Sequence, residues 1–234
     1  MIEIQIGNED LRVKSSIKVK LDFEKLKIIS EKTKNQRIGL GGEPLKPRQW
    51  KRILEIFAKT REKSLLSDIK YINDEKLNAA KKLGFKVYVS VKNFQKAPKN
   101  KIARIKKKVC GFMVLNSNKN MDAVNFFKRE KARLYIENFV PSSKTELAKR
   151  KNLKVKRCSA GINIGITSNG DCFPCITMRD IPTSKLGNLM KEDLKSLKFK
   201  GRKFAQTLTK EECAAIKRKL MPTCEQPARK NFLP

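Results

Sequence analysis

Apolar and polar residues alternate along the first 140 positions in two rhythms, one of period two and one helical. Residues 2–6 alternate as Ile-Glu-Ile-Gln-Ile, the pattern of a strand with one covered face. Residues 11–20 read as a second extended stretch that returns on the first through Gly7-Asn8-Glu9-Asp10. Asp22 offers an N-cap to a helix carrying Leu26 and Ile29. Residues 37–41 form a short strand, and Trp50, Ile53, Leu54 and Phe57 recur at helical spacing after Pro47. Residues 65–72 read as extended. The best-marked helix follows: Asn73 caps it, Asp74 and Glu75 fill its first turn, Lys81 and Lys82 its last, and Gly84 ends it. A strand over 85–91, a basic helix over 99–108, an apolar run over 109–115, a helix over 121–132 and a strand over 133–139 complete the series. The run over 109–115 is expected to be a strand buried on both faces, with Cys110 a core thiol.

Strands separated by helices imply βα units and a parallel sheet. The expected fold class is therefore α/β, a partial (β/α)6 TIM-like barrel over residues 1–140. Residues 141–157 change to a Lys/Arg-rich stretch and read as a basic linker. Residues 158–234 form a small cysteine-rich C-terminal extension holding five of the six cysteines. So many thiols in a segment poor in apolar material suggest a fold held by a metal centre.

Composition narrows the function classes. No apolar run approaches the roughly 18 residues that cross a bilayer, and the start lacks the basic and apolar regions of a signal peptide. A cytoplasmic location is expected, with no membrane partner, and the cysteines are then metal ligands or core thiols rather than disulfides. The balance of 55 Lys+Arg against 23 Asp+Glu gives +32, spread along the whole chain. A field of that size attracts polyanions, RNA first among them. The nearly even spread favours general lysine decoration of exposed helices as the account of much of the charge, and no RNP, KH or recognition-helix signature is present.

Within the extension, Ile162-Asn163-Ile164-Gly165-Ile166 alternates as a strand, and Asn169-Gly170 is a strong hairpin signal. The turn is expected to bring Cys172 and Cys175 back toward Cys158, with Cys213 and Cys224 further on. The chain has no histidine, so an all-thiolate site is required, either tetrahedral zinc or an iron–sulfur cluster.

Two motifs then coincide. Gly41-Gly42-Glu43-Pro44 after a short strand resembles the GGEP motif of radical SAM enzymes, whose main chain holds the amino group of S-adenosylmethionine. Cys158-x11-Gly170-x4-Cys175, followed by Lys185-Leu186-Gly187-Asn188-Leu189, resembles the opening of the SPASM or twitch extension of that family. The resemblance covers nearly the whole chain. It implies a cofactor site at Gly41, Gly42, Glu43 and Pro44, and an auxiliary [4Fe–4S] cluster with Cys158, Cys172, Cys175, Cys213 and Cys224 as candidate ligands. The departure matters as much. The CxxxCxxC motif of the SAM-cleaving cluster belongs after the first strand, and no cysteine precedes Cys110.

The expected function is thus a degenerate radical-SAM-like iron–sulfur protein that has lost S-adenosylmethionine cleavage. It would serve as a binding or accessory protein in peptide or protein modification, with no catalytic residue assigned and residual S-adenosylmethionine binding left open. The alternative is a basic RNA- or ribonucleoprotein-binding protein with a structural cysteine-ligated metal, zinc included. The third is an enzyme completed in trans by another chain. Glu43 is left with two roles, capping the following helix or binding an amino group.

Overall fold

The computed structural model describes residues 1–7, 21–115, 122–137 and 159–207. Strand β1 (Ile2–Gln5) leads by way of Asp22 into α1 (Phe23–Thr33), β2 (Arg37–Gly41) and α2 (Trp50–Ile56). Then come β3 (Glu62–Asp68), α3 (Asp74–Lys82), β4 (Lys86–Val91), α4 (Lys99–Ile105), β5 (Gly111–Leu115), α5 (Ala123–Arg129) and β6 (Leu134–Glu137). The expected caps hold. Asp22 accepts from the backbone N–H groups of Glu24 and Lys25, and Asn73 from that of Lys76. Caps of this kind contribute about 1 kcal/mol each.

Strands β3 and β5 differ from the sequence pattern at their ends for local reasons. β3 begins at Glu62, because the polar run Glu62-Lys63-Ser64 pairs with Arg37-Ile38-Gly39 of β2. It ends at Asp68, whose carboxylate accepts from Lys70 N–H and opens a 3₁₀ turn, Ile69–Tyr71, where continued strand was expected. Farther on, β5 starts only at Gly111. Cys110 lies just outside it, half-buried, with its N–H donating to Val87 O, so it is not the fully buried core thiol expected. Nor is β5 covered on both faces: Phe112 and Val114 are buried, whereas Met113 is half-buried and stands beside Tyr135.

All six strands are parallel, and the sheet runs in the order β6-β5-β4-β3-β2-β1. The sheet continues past β1. β7 (Ile164–Thr167) pairs in parallel with β1, and β8 (Asp171–Phe173) and β9 (Gly187–Asn188) follow antiparallel, giving nine strands. β1 is therefore the point where strand order reverses. The β7–β8 turn has Gly170 at φ +85, as the Asn-Gly signal requires.

A row of directly paired residues crosses six strands on the helix-covered face: Val87, Leu65, Leu40, Ile4, Ile166 and Cys172. Each is at most 2% exposed. Leu26, Ile29, Ile53, Leu54, Phe57 and Leu77 pack into the same core from the helices. Full burial of such side chains stabilises by about 1.5–3 kcal/mol apiece. A final helix, α6 (Leu194–Gln206), is capped by Asp193 and buries Leu197 in that core. Lys32 of α1 donates to Leu189 O, tying the first helix to the extension.

The expected segment 11–20, the linker 141–157 and the cysteines Cys158, Cys213 and Cys224 lie outside the described residues. Among the described residues, no helix is long and apolar enough to cross a membrane.

Candidate functional site

The apolar strands end in polar residues at their carboxyl edge. Gly41, Gln5 and Thr167 stand side by side in register on β2, β1 and β7, on the face opposite the apolar row. Ser67 and Asp68 end β3, Ser90 lies near the end of β4, and Lys92 follows that strand. In open parallel sheets, ligands bind beyond the carboxyl ends where strand order reverses, which here is β1.

Gly41-Gly42-Glu43-Pro44 sits at that edge. Gly42 has φ +73 and Glu43 φ +60, so the chain makes two successive left-handed residues. For Glu43, a residue with a side chain, that conformation costs about 1–3 kcal/mol and persists only when its surroundings impose it. They do so here. A Cβ on Gly42 would lie 2.6 Å from both N and O of Gly7, so the motif and the end of β1 meet backbone to backbone. Gly41 O accepts from Ile6 N–H, and Glu43 O from Lys46 N–H.

The Glu43 side chain does not cap α2, which begins at Trp50 without a side-chain cap. It turns inward, 6% exposed. One oxygen, Oε2, accepts from Ser67 Oγ at 2.9 Å and from the Asp68 N–H at 2.6 Å. The other, Oε1, is 3.4 Å from Lys92 Nζ, which is also 3.7 Å from Asp68 Oδ2. Burial pushes the Glu43 carboxyl above its usual range, against the opposing pull of the Asp68 N–H, Lys92 and Ser67. Glu43 thus forms an internal ion pair with Lys92 rather than a helix cap.

On the other side of β1, Thr167 and Ser168 are 6% and 0% exposed. Their hydroxyls have no hydrogen-bond partner among the described residues. Buried groups of this kind cost about 1–3 kcal/mol when left unsatisfied, which makes them candidates for contact with a bound polar molecule.

No protein-family model and no curated protein matches the chain. Solved structures do. Over 97% of this chain and 92% of the other, it superposes on native anSMEcpe with bound AdoMet, at TM-score 0.63 and 14% identity. The same enzyme with AdoMet and the Kp18Cys peptide gives TM-score 0.64 at 14% identity, covering 88% of this chain and 82% of that one. With AdoMet and the Cp18Cys peptide the TM-score is 0.63 at 13% identity, over 96% and 92%. These neighbours are radical SAM enzymes. The chain has a radical-SAM-like fold. At such identity the likeness establishes the architecture, a mostly parallel partial barrel, and leaves chemistry to the residues.

In the extension of this radical-SAM-like fold, Cys172 and Cys175 belong to different environments. Cys172 is the last member of the apolar row, 0% exposed, and burial pushes its thiol up to about 12. Cys175 is half-buried in a separate small cluster with Ala160, Met178 and Phe204, its sulfur 3.0 Å from Thr177 Oγ1. Among the described residues, no three Cys, Asp or Glu side chains converge as a metal site. Gly187-Asn188 serves structure: Asn188 Nδ2 donates to Asp171 Oδ1 at 2.7 Å and its Oδ1 accepts from Met190 N–H.

Ser67, Asp68, Lys92, Thr167 and Ser168 escaped the motif reading. Their signal is modest but legible: each closes an apolar strand pattern with a polar residue at the carboxyl end. Part of the basic excess also has a structural use. Lys76 Nζ donates to Leu45 O and Tyr71 O, and Lys101 Nζ to Ile69 O, satisfying carbonyls that end loops.

Proposed function

We propose that this chain is a binding or accessory protein built on the radical-SAM-like fold, recognising S-adenosylmethionine or a related amino-acid-bearing nucleotide without cleaving it. The observation that carries the reading is the Gly41-Gly42-Glu43 turn. It is held in a strained conformation against Gly7 by a buried Glu43, at the strand edge where order reverses. The residues fit the molecule: Gly42, half-buried just past β2, brings main chain to this edge, and Thr167 and Ser168 offer buried hydroxyls. S-adenosylmethionine, when bound, supplies a sulfonium and a zwitterionic tail, and these residues would orient it. They do not fit the cleaving cluster, since a [4Fe–4S] centre needs thiolates and the chain has no cysteine before Cys110.

The same proposal places one auxiliary metal centre, [4Fe–4S] or zinc, in the extension. Cys172 is ill suited to it, as a thiol held in an apolar row resists the ionisation that metal binding requires. That leaves Cys158, Cys175, Cys213 and Cys224, four thiolates, which is the number either centre takes. A peptide or protein is the proposed partner class, supported by the peptides bound to the structural neighbours.

Titration of S-adenosylmethionine into the anaerobically purified chain tests the first part. Saturable binding with no release of 5′-deoxyadenosine under dithionite is expected, and absence of binding would overturn it. Metal analysis with an absorbance spectrum tests the second: about four irons and a brown colour, or one zinc, per chain. Metal-free protein refutes the centre.

A further inference from the structure

Lys92 lies immediately after β4, beyond the last paired residue of that strand, on a flexible four-carbon stem. Its ammonium sits between two carboxylates, 3.4 Å from Glu43 and 3.7 Å from Asp68. The carboxylate side chains are 6% and 7% exposed, whereas that of Lys92 is 35% exposed. The carboxylates are thus the enclosed members of the cluster and Lys92 is the more exposed one. Glu43 Oε2 is held by Ser67 Oγ and the Asp68 N–H, and Asp68 Oδ1 by the Lys70 N–H, contacts that do not involve Lys92. Burial raises the Glu43 carboxyl, and the Asp68 charge adds to the rise, so an ammonium beside Glu43 is favoured.

We infer that Lys92 is a built-in competitor for the amino group of the site's ligand, an internal ammonium that a primary amine must displace from Glu43 and Asp68. The inference rests on the proposed reading of the site and specifies the ligand chemistry: an α-amino-acid ammonium, which matches Lys92 in charge and in its three donors. Both cations cannot occupy one carboxylate pair. Only the fraction of molecules with Lys92 swung outward accepts the amine, and apparent affinity falls by that fraction. A ligand without the amino group meets no such competition.

The test uses Lys92→Met in the full chain, with Lys92→Gln as a second variant that keeps donors but loses the charge. S-adenosylmethionine should bind either variant at least tenfold more tightly than it binds the unsubstituted protein. Its deaminated analogue should bind all three alike. Methylammonium chloride should raise the melting temperature of the variants more than sodium chloride at equal ionic strength, and should not do so for the unsubstituted protein. Equal S-adenosylmethionine affinities, or no preferential effect of methylammonium, would overturn the inference. Preferential stabilisation by methylammonium with no S-adenosylmethionine binding by any of the three would instead remove the nucleotide reading and leave Lys92 as the competitor for an amine.

Discussion

Cys172 stands directly opposite Ile166 across the β7–β8 pair, which makes a thiol the sixth member of an otherwise aliphatic row. Position decides its chemistry. On the buried face, with its pKa raised to about 12 by desolvation, it stays a thiol throughout the physiological range. Native protein at pH 8 is expected to leave Cys172 unmodified by iodoacetamide until denaturant is added, as peptide mapping would report. Cys172→Val should retain the metal content of the unsubstituted chain, and Cys175→Ser should lose most of it. Loss of metal in the valine variant would return Cys172 to the ligand set.

At the other edge of the motif, the approach of Gly42 to Gly7 leaves no room for a methyl group. Gly42→Ala puts a Cβ 2.6 Å from two backbone atoms of Gly7 and asks alanine to hold φ +73. Strain of this kind costs about 1–3 kcal/mol, with the steric displacement added to it. Urea unfolding should show the loss with an unchanged slope, since the surface exposed on unfolding is the same.

Glu43 gives the fold a characteristic pH dependence. Its carboxyl is raised in the folded state by burial, so between the ordinary value and the raised one the folded chain binds more protons than the unfolded. Stability attributable to Glu43 is then highest below the unfolded pKa and declines as pH rises through the folded one. Glu43→Gln cannot ionise and should lack this decline. The difference in unfolding free energy between the two proteins, followed from pH 4 upward, should shift steadily in favour of the glutamine variant. A difference that stays flat would place the carboxyl in a more solvated setting than the geometry indicates.

The α/β alternation was legible because strands and helices differ in period and because Asp22, Asn73 and Gly84 mark their ends chemically. Gly41-Gly42-Glu43-Pro44 was legible as a motif, and Asn169-Gly170 as a turn. What the Glu43 side chain does was not, because its partners Ser67, Asp68 and Lys92 lie 24 to 49 positions downstream and meet it only when β2, β3 and β4 align. The two cysteines of Cys172-Phe173-Pro174-Cys175 read as a ligand pair for a similar reason. Spacing shows that two thiols are close along the chain, but the β7–β8 register decides that one of them faces the core. β3 began early for a third reason: Glu62-Lys63-Ser64 has no apolar face, and only pairing with β2 makes it strand.

Gly165 offers a test of how the extension is seated. A Cβ there would lie 2.7 Å from the N, Cα and Cβ atoms of Ile176, the first residue of the 3₁₀ turn that Cys175 precedes. The contact is with backbone, so no rotamer change relieves it, and Gly165→Ala must push the turn away from β7. Overpacking of this kind costs about 1–3 kcal/mol. The same substitution at Gly39, in β2, places its Cβ 3.5 Å from Ser64 Oγ, an ordinary contact, and should be neutral or slightly stabilising. Because Cys175 immediately precedes the displaced turn, Gly165→Ala should also weaken metal retention under chelator challenge while Gly39→Ala does not. Equal stability and equal retention in the two variants would show that the turn is not held by its contact with β7.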